Sequence, residues 1–159
     1  MAQVHQNFPA RQLDQGEHFR NPSEACLAEL PNGDILMNLR HEGNLRCRAA
    51  AVSRDGGLHF TEPRLIEALP DPICLGSMAK SPAGGVLAFC NCASQSAREN
   101  LTLRFSRDGG AAWPVARKIA GHAAYSDLAF SPDGRQIYVF YEWGKYDALV
   151  FESYDITIS

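Results

Sequence analysis

The octet SRDGGLHF, Ser53–Phe60, returns 53 positions later as SRDGGAAW, Ser106–Trp113. Both copies follow an apolar run, RCRAAAVS in the first case and NLTLRFS in the second. Ser-x-Asp-x-Gly at the end of a strand is a tight-turn signature: the carboxylate accepts N–H bonds within its own turn, and glycine takes up positive φ. The aromatic three residues after the second glycine can fold back over a small apolar cluster. A chain that repeats such a sentence is built from repeated supersecondary units.

A second set of turns gives the period. Pro31-Asn32-Gly33, Pro82-Ala83-Gly84 and Pro132-Asp133-Gly134 place their prolines 51 and 50 residues apart. Each turn lies between two short strand-like runs: ACLAEL and DILMNLR, GSMAK and GVLAFC, SDLAF and QIYVFY. These read as hairpins. A third run closes each unit, RCRAAAVS, NLTLRFS and ALVFESY. Four short strands per unit at a period near 50 are the pattern of β-propeller blades. The fold expected is all-β, about three blades of four antiparallel strands, at roughly 22–68, 72–119 and 122–159. The third blade has Ser153-Tyr154-Asp155 where a third octet would begin, without the glycines. Propellers close with 4–8 blades. Three blades leave two apolar faces open, to be covered by a missing half or by self-association.

With 45% hydrophobic and 21% charged residues, the composition is that of a globular protein. A net charge of -3 gives no electrostatic support for a nucleic-acid or anionic-membrane partner. No apolar run approaches the ~20 residues of a membrane span. Met1–Gln15 contain no apolar stretch of the secretory-leader kind, so no leader is expected there, and the compartment stays open. Cys26, Cys47, Cys74, Cys90 and Cys92 sit mostly in apolar runs, where buried free thiols are expected. None shares zinc-ligand spacing with a histidine, so no metal site and no cofactor are expected.

The period also works as a ruler. Glu24, Leu75 and Tyr125 start the first strands, while Arg40, Asn91 and Glu142 end the second ones. In an antiparallel blade those ends share one edge, and Arg98 falls where a third strand starts at the same edge. Glu24, Arg40, Arg98, Tyr125 and Glu142 are therefore expected around one mouth, with the octets at the opposite edge. Two guanidiniums suit a carboxylate or phosphate. A phenol with an ordinary pKa of ~10 needs a base to act as nucleophile, and Glu24 is placed to serve. A neutral nucleophile suits an electrophilic carbon that itself bears a negative group, as in a sugar acid. Arg46 and Arg48 are alternatives to Arg40, and Arg104 to Arg98, though they lie nearer the third strands. Tyr138 and Tyr141 are read as packing residues and His122 as structural.

These residues and their order resemble the C-terminal half of the catalytic domain of exo-α-sialidases, the neuraminidases. The octets resemble that family's Asp box, or bacterial neuraminidase repeat: Ser53, Asp55, Gly57 and Phe60, then Ser106, Asp108, Gly110 and Trp113. SEACLAELPNGDILMNLR, LPDPICLGS, SARENLTLRFSRDGG, AYSDLAF and VFYE resemble successive family segments across most of residues 18–153. The resemblance implies a retaining glycosidase with Tyr125 as nucleophile and Glu24 as its base. It implies Arg40 and Arg98 as carboxylate ligands, Glu142 as the orienter of an arginine, and sialylated glycans as partners. The family's N-terminal half carries an Arg-Ile-Pro motif and an acid/base Asp. Phe8–Asp14, FPARQLD, is not that motif. The chain alone is thus expected to be inactive. The alternatives are a non-catalytic module that binds sialic acid or other acidic glycans, and a purely structural set of blades.

Overall fold

The computed structural model describes residues 17–156; the FPARQLD stretch lies outside them. The described residues form ten strands and no helix. Strands β1 (Ser23–Glu29), β2 (Ile35–Arg40), β3 (Cys47–Ser53) and β4 (Arg64–Pro70) make one antiparallel sheet in sequence order. Strands β5 (Ser77–Lys80), β6 (Leu87–Cys92), β7 (Glu99–Ser106), β8 (Val115–Phe130), β9 (Gln136–Trp143) and β10 (Ala148–Asp155) make a second, six-stranded run.

Two expected blades share β8. Its first half pairs with β7, Val115 opposite Phe105, and its second half with β9, Phe130 opposite Ile137. The reading from turn signals expected separate strands here. Between Val115 and Phe130 the chain has no proline and one glycine, Gly121, so nothing breaks the extended backbone. A register irregularity between Ala123 and Ser126 takes the place of a turn.

The centre strands are buried on both faces, which is why CRAAAVS and LAFCNC are apolar runs rather than alternating ones. Every residue of β6 is buried, and Ala49, Ala50 and Ala51 of β3 are within 2% of complete burial. Two cores lie between successive units of the repeat. Ala28, Leu36, Ile66, Leu69, Leu87, Phe89 and Trp113 join the first unit to the second. Cys90, Leu101, Leu103, Ala123, Ile137, Val139 and Tyr141 join the second to the third.

The two octets adopt one geometry. Ser53 Oγ donates to Asp55 Oδ1 (2.9 Å) and accepts from Gly57 N (2.8 Å), while Asp55 Oδ1 accepts from His59 N (2.9 Å). Ser106, Asp108, Gly110 and Ala112 repeat this at 2.8, 2.9 and 2.9 Å. Gly57 and Gly110 have φ of +89° and +85°. Their surroundings differ. Gly110 leaves no room for a side chain beside Leu36 of the preceding sheet, Arg64 Nη2 donates to its carbonyl at 3.3 Å, and the Trp113 ring lies tilted against Phe89 with centroids 5.7 Å apart. Among the described residues no sheet precedes the first octet, and Phe60 stays half-buried where Trp113 is buried. At the far end, Phe140, Leu149 and Phe151 of β9 and β10 are exposed, as is Leu27 on β1.

Candidate active site

The edge opposite the octets collects the residues that the period places together. Glu24 stands near the start of β1 in a bulge between Ser23 and Cys26, with φ at +36°. Arg40 ends β2, opposite Ser23 in the ladder. Tyr125 sits at the irregular centre of β8, Glu142 near the end of β9, and Arg98 just before β7.

The contacts are specific. Tyr125 Oη donates to Glu24 Oε1 at 2.8 Å, across 101 positions of sequence. The other Glu24 oxygen, Oε2, accepts from Arg40 Nη1 in an ion pair. Arg98 lies over the Tyr125 ring, Cζ 5.2 Å from the centroid, in cation–π geometry. Among the described residues Arg98 has no carboxylate within ion-pair distance; its Nη1 donates instead to Tyr146 Oη at 2.7 Å.

Electrostatics set the protonation states. Burial pushes the Glu24 carboxyl up, but the Arg40 and Tyr125 hydrogen bonds, with the charges of Arg40 and Arg48, hold it below the usual carboxylate range. The Tyr125 phenol is raised above its ordinary value by its hydrogen bond to Glu24, then by burial and the Glu24 charge. Arg40 and Arg98 oppose that rise. At neutral pH the pair is a neutral phenol donating to a carboxylate, which can take its proton.

Glu142 reaches the backbone of Tyr125. Its Oε2 accepts from the Tyr125 backbone N–H at 3.1 Å, and among the described residues no arginine lies within ion-pair distance of it. The β8 irregularity frees that N–H from the ladder, and the Glu142 side chain, from the paired strand, satisfies it. Glu142 here shapes the backbone that presents Tyr125.

The alternative arginines are inside the sheets. Arg48 is fully buried: Nε donates to Asn38 Oδ1 (2.7 Å), and Nη1 to Asp71 Oδ2 (3.2 Å) and the Cys74 carbonyl (3.0 Å). Its Nη2 reaches the Glu24 carbonyl at 3.4 Å, so it buttresses the bulge that carries Glu24. Arg104 donates to Asn91 Oδ1 at 3.0 Å, and Asn91 Nδ2 donates to the Pro70 carbonyl at 2.8 Å. This buried network, rooted in the Asp71-Pro72-Ile73-Cys74 loop, was not read from the sequence. A charged residue inside the Ala-rich β3 was the available signal. Tyr141 is buried and donates to Glu152 Oε1 (3.0 Å), Tyr138 packs near Phe151, and the His122 carbonyl accepts from Gly144 N (3.0 Å).

The five cysteines are free, four of them buried. Among the described residues no group of three or more His, Cys, Asp or Glu side chains could hold a metal ion.

Propeller-type sheets with turn repeats at one edge and a phenol–carboxylate–guanidinium cluster at the other define a class. Residues 4–139 match the BNR repeat-like domain family, to which this chain belongs. The sialidase of Micromonospora viridifaciens is 38% identical over 115 residues, covering 67% of this chain and 18% of that protein. The sialidase of Bacteroides fragilis is 34% identical over 106 residues, covering 62% and 19%. In structure the chain is similar to the Hadza microbial sialidase Hz136, with a TM-score of 0.71 and 28% identity, over 86% of this chain and 28% of that one. An α-L-arabinanase from Penicillium chrysogenum shares the fold at a TM-score of 0.60 and 15% identity, over 87% and 46%. The chain thus spans about a fifth of the length of the curated relatives it matches.

Proposed function

We propose that this chain is the C-terminal half of an exo-α-sialidase catalytic domain, with blades at roughly 22–68, 72–119 and 122–159 around one mouth. The observation that carries the reading is the Tyr125–Glu24 hydrogen bond beside Arg98, a rim guanidinium that pairs with no carboxylate among the described residues. The substrate is a terminal sialic acid, whose anomeric carbon bears a carboxylate. Arg40 and Arg98 hold that carboxylate, and Glu142 supports the Tyr125 backbone.

Tyr125 Oη forms a bond to the anomeric carbon as its proton passes to Glu24 Oε1 and the glycosidic C–O bond breaks. A phenol made nucleophilic only at that moment avoids the repulsion that an anionic carboxylate would meet beside the substrate's own. Water then releases the sugar from tyrosine, with net retention. The leaving oxygen needs a proton donor, a contribution of roughly 10²–10⁴-fold, and the sialidase resemblance places that acid in the N-terminal half. The chain alone is therefore expected to bind without turning over, and its open faces to be covered by that half or by self-association.

The test is fluorophore release from a fluorogenic sialoside, by the chain alone and by the chain joined to an N-terminal half carrying the Arg-Ile-Pro motif. Turnover is expected only from the joined protein and should vanish in Tyr125→Phe. Turnover that survives Tyr125→Phe overturns the nucleophile assignment. A folded joined protein that binds sialic acid without hydrolysis assigns the chain to the binding modules instead.

A further inference from the structure

We propose that Tyr146 is a positioning residue that holds Arg98 over the Tyr125 ring and offers its own O–H as a neutral donor beside the guanidinium. The ligand role rests on the sialic-acid reading above; the positioning role does not. Tyr146 sits at the tip of the β9–β10 hairpin with φ at +67°. It is 63% exposed, so core packing does not explain its conformation. The hairpin is anchored on both sides of the tip. Gly144 N donates to the His122 carbonyl at 3.0 Å, three residues before Tyr125, and Asp147 N donates to the Trp143 carbonyl at 3.0 Å. Asp147 Oδ2 also accepts from Lys145 N at 3.1 Å, pinning the turn from inside.

From that tip the Tyr146 oxygen accepts from Arg98 Nη1 at 2.7 Å. Arg98 lies in the loop before β7, is itself exposed, and has two aromatic partners: the Tyr146 hydroxyl and the face of Tyr125. An exposed arginine left to solvent samples many rotamers, at an entropic cost when a ligand orders it. The two contacts order it beforehand. Since the phenol oxygen accepts from Arg98, its hydrogen remains available, and no described residue takes it. An anion that reaches Arg98 meets a second, uncharged donor next to the first. That arrangement suits a carboxylate with one oxygen on the guanidinium and the other on the phenol.

The experiment compares the chain with Tyr146→Phe, which keeps the ring and removes only the hydroxyl at an exposed position. Side-chain NMR of Arg98, without ligand, is the first readout. The wild type is expected to show a rigid Nε–Hε group with its protons shifted upfield by the Tyr125 ring, and the variant to lose both features. An Arg98 unchanged in Tyr146→Phe overturns the positioning role. The second readout is affinity for N-acetylneuraminic acid, expected to fall about tenfold in the variant, the scale of one hydrogen bond to a charged group. Equal affinity in the two proteins refutes the donor role. If the wild type binds no sialic acid, the ligand reading and the donor role fall together, and the Arg98 spectrum alone decides the positioning role.

Discussion

Gly57 and Gly110 occupy the same place in two copies of one turn and have nearly the same φ, +89° and +85°. Alanine at either position takes on left-handed strain of roughly 1–2 kcal/mol, partly offset by up to about 1 kcal/mol from a stiffer unfolded chain. There the equivalence ends. A Cβ at Gly57 would come no nearer than 3.7 Å to Ile35 Cδ1, an ordinary contact. A Cβ at Gly110 would lie 2.7 Å from Leu36 Cδ2. Leu36 is only 2% exposed and packs among Ala28, Leu87 and Phe89, so it has no free space to enter. Overpacking of this kind costs about 1–3 kcal/mol. Gly57→Ala is therefore expected to destabilise by about 1 kcal/mol, and Gly110→Ala by about 2–4 kcal/mol. Urea unfolding of the two variants beside the parent measures both. Equal losses would refute the claim that the second octet is the seam between the first two sheets and the first is not.

The octet carboxylates make a pH prediction. The His59 backbone N–H, aided by the His59 ring and Ser53, holds Asp55 down at about 2, and the Ala112 N–H with Ser106 lowers Asp108. Both folded-state values lie below the unfolded ones, so the stabilisation is full above about pH 4 and is lost as pH falls through the folded values. Acid titration of thermal stability should show a decline that Asp55→Asn and Asp108→Asn flatten; an unflattened decline would exclude these groups as its source. Arg48→Met should cost about 3–5 kcal/mol by leaving buried Asp71 without its ion pair, and a loss under 1 kcal/mol in urea unfolding would show that the pair is not structural. Glu24→Gln should lower the Tyr125 phenol pKa, since the hydrogen bond and charge of Glu24 raise it; titration of the ring carbon signals by NMR would reveal no change if the pair were not formed. Phe151→Glu, on the exposed β10 face, should reduce self-association in sedimentation, and unaltered sedimentation would mean that this face is not the adhesive one.

Strands and turns were legible because Pro-x-Gly and Ser-x-Asp-x-Gly act locally. Pro31, Pro82 and Pro132 preset a backbone angle, and the glycines accept positive φ wherever the chain goes. The mouth was legible because a period of 50–51 residues converts position into place, which brought Glu24 and Tyr125 together across 101 residues. What stayed hidden depended on partners that spacing does not name. β8 runs through because nothing stops it, and the absence of a breaker is a weak signal. Arg48 reads as a strand arginine until Asp71, Asn38 and the Cys74 carbonyl close around it. Glu142 also meets the Tyr125 N–H, which the register irregularity at Ala123–Ser126 exposes, and spacing does not show that contact. Tyr146 lies at the tip of the β9–β10 hairpin, and the ruler was laid on strand ends rather than on loop tips. Phe60 and Trp113 fill the same slot of the octet, yet Trp113 is buried against Phe89 of the second unit while Phe60 stays half-buried.

In the proposed function the mouth grips the carboxylate of a sialic acid through Arg98 beside Tyr125. Titration of the chain with N-acetylneuraminic acid, followed by NMR, tests it most directly, with Arg98→Ala as the paired sample. Saturable shifts centred on Arg98, Tyr125 and Arg40 are expected in the parent, and their loss in the variant. Shifts that persist in Arg98→Ala, or a parent that shows none at millimolar ligand, would contradict it.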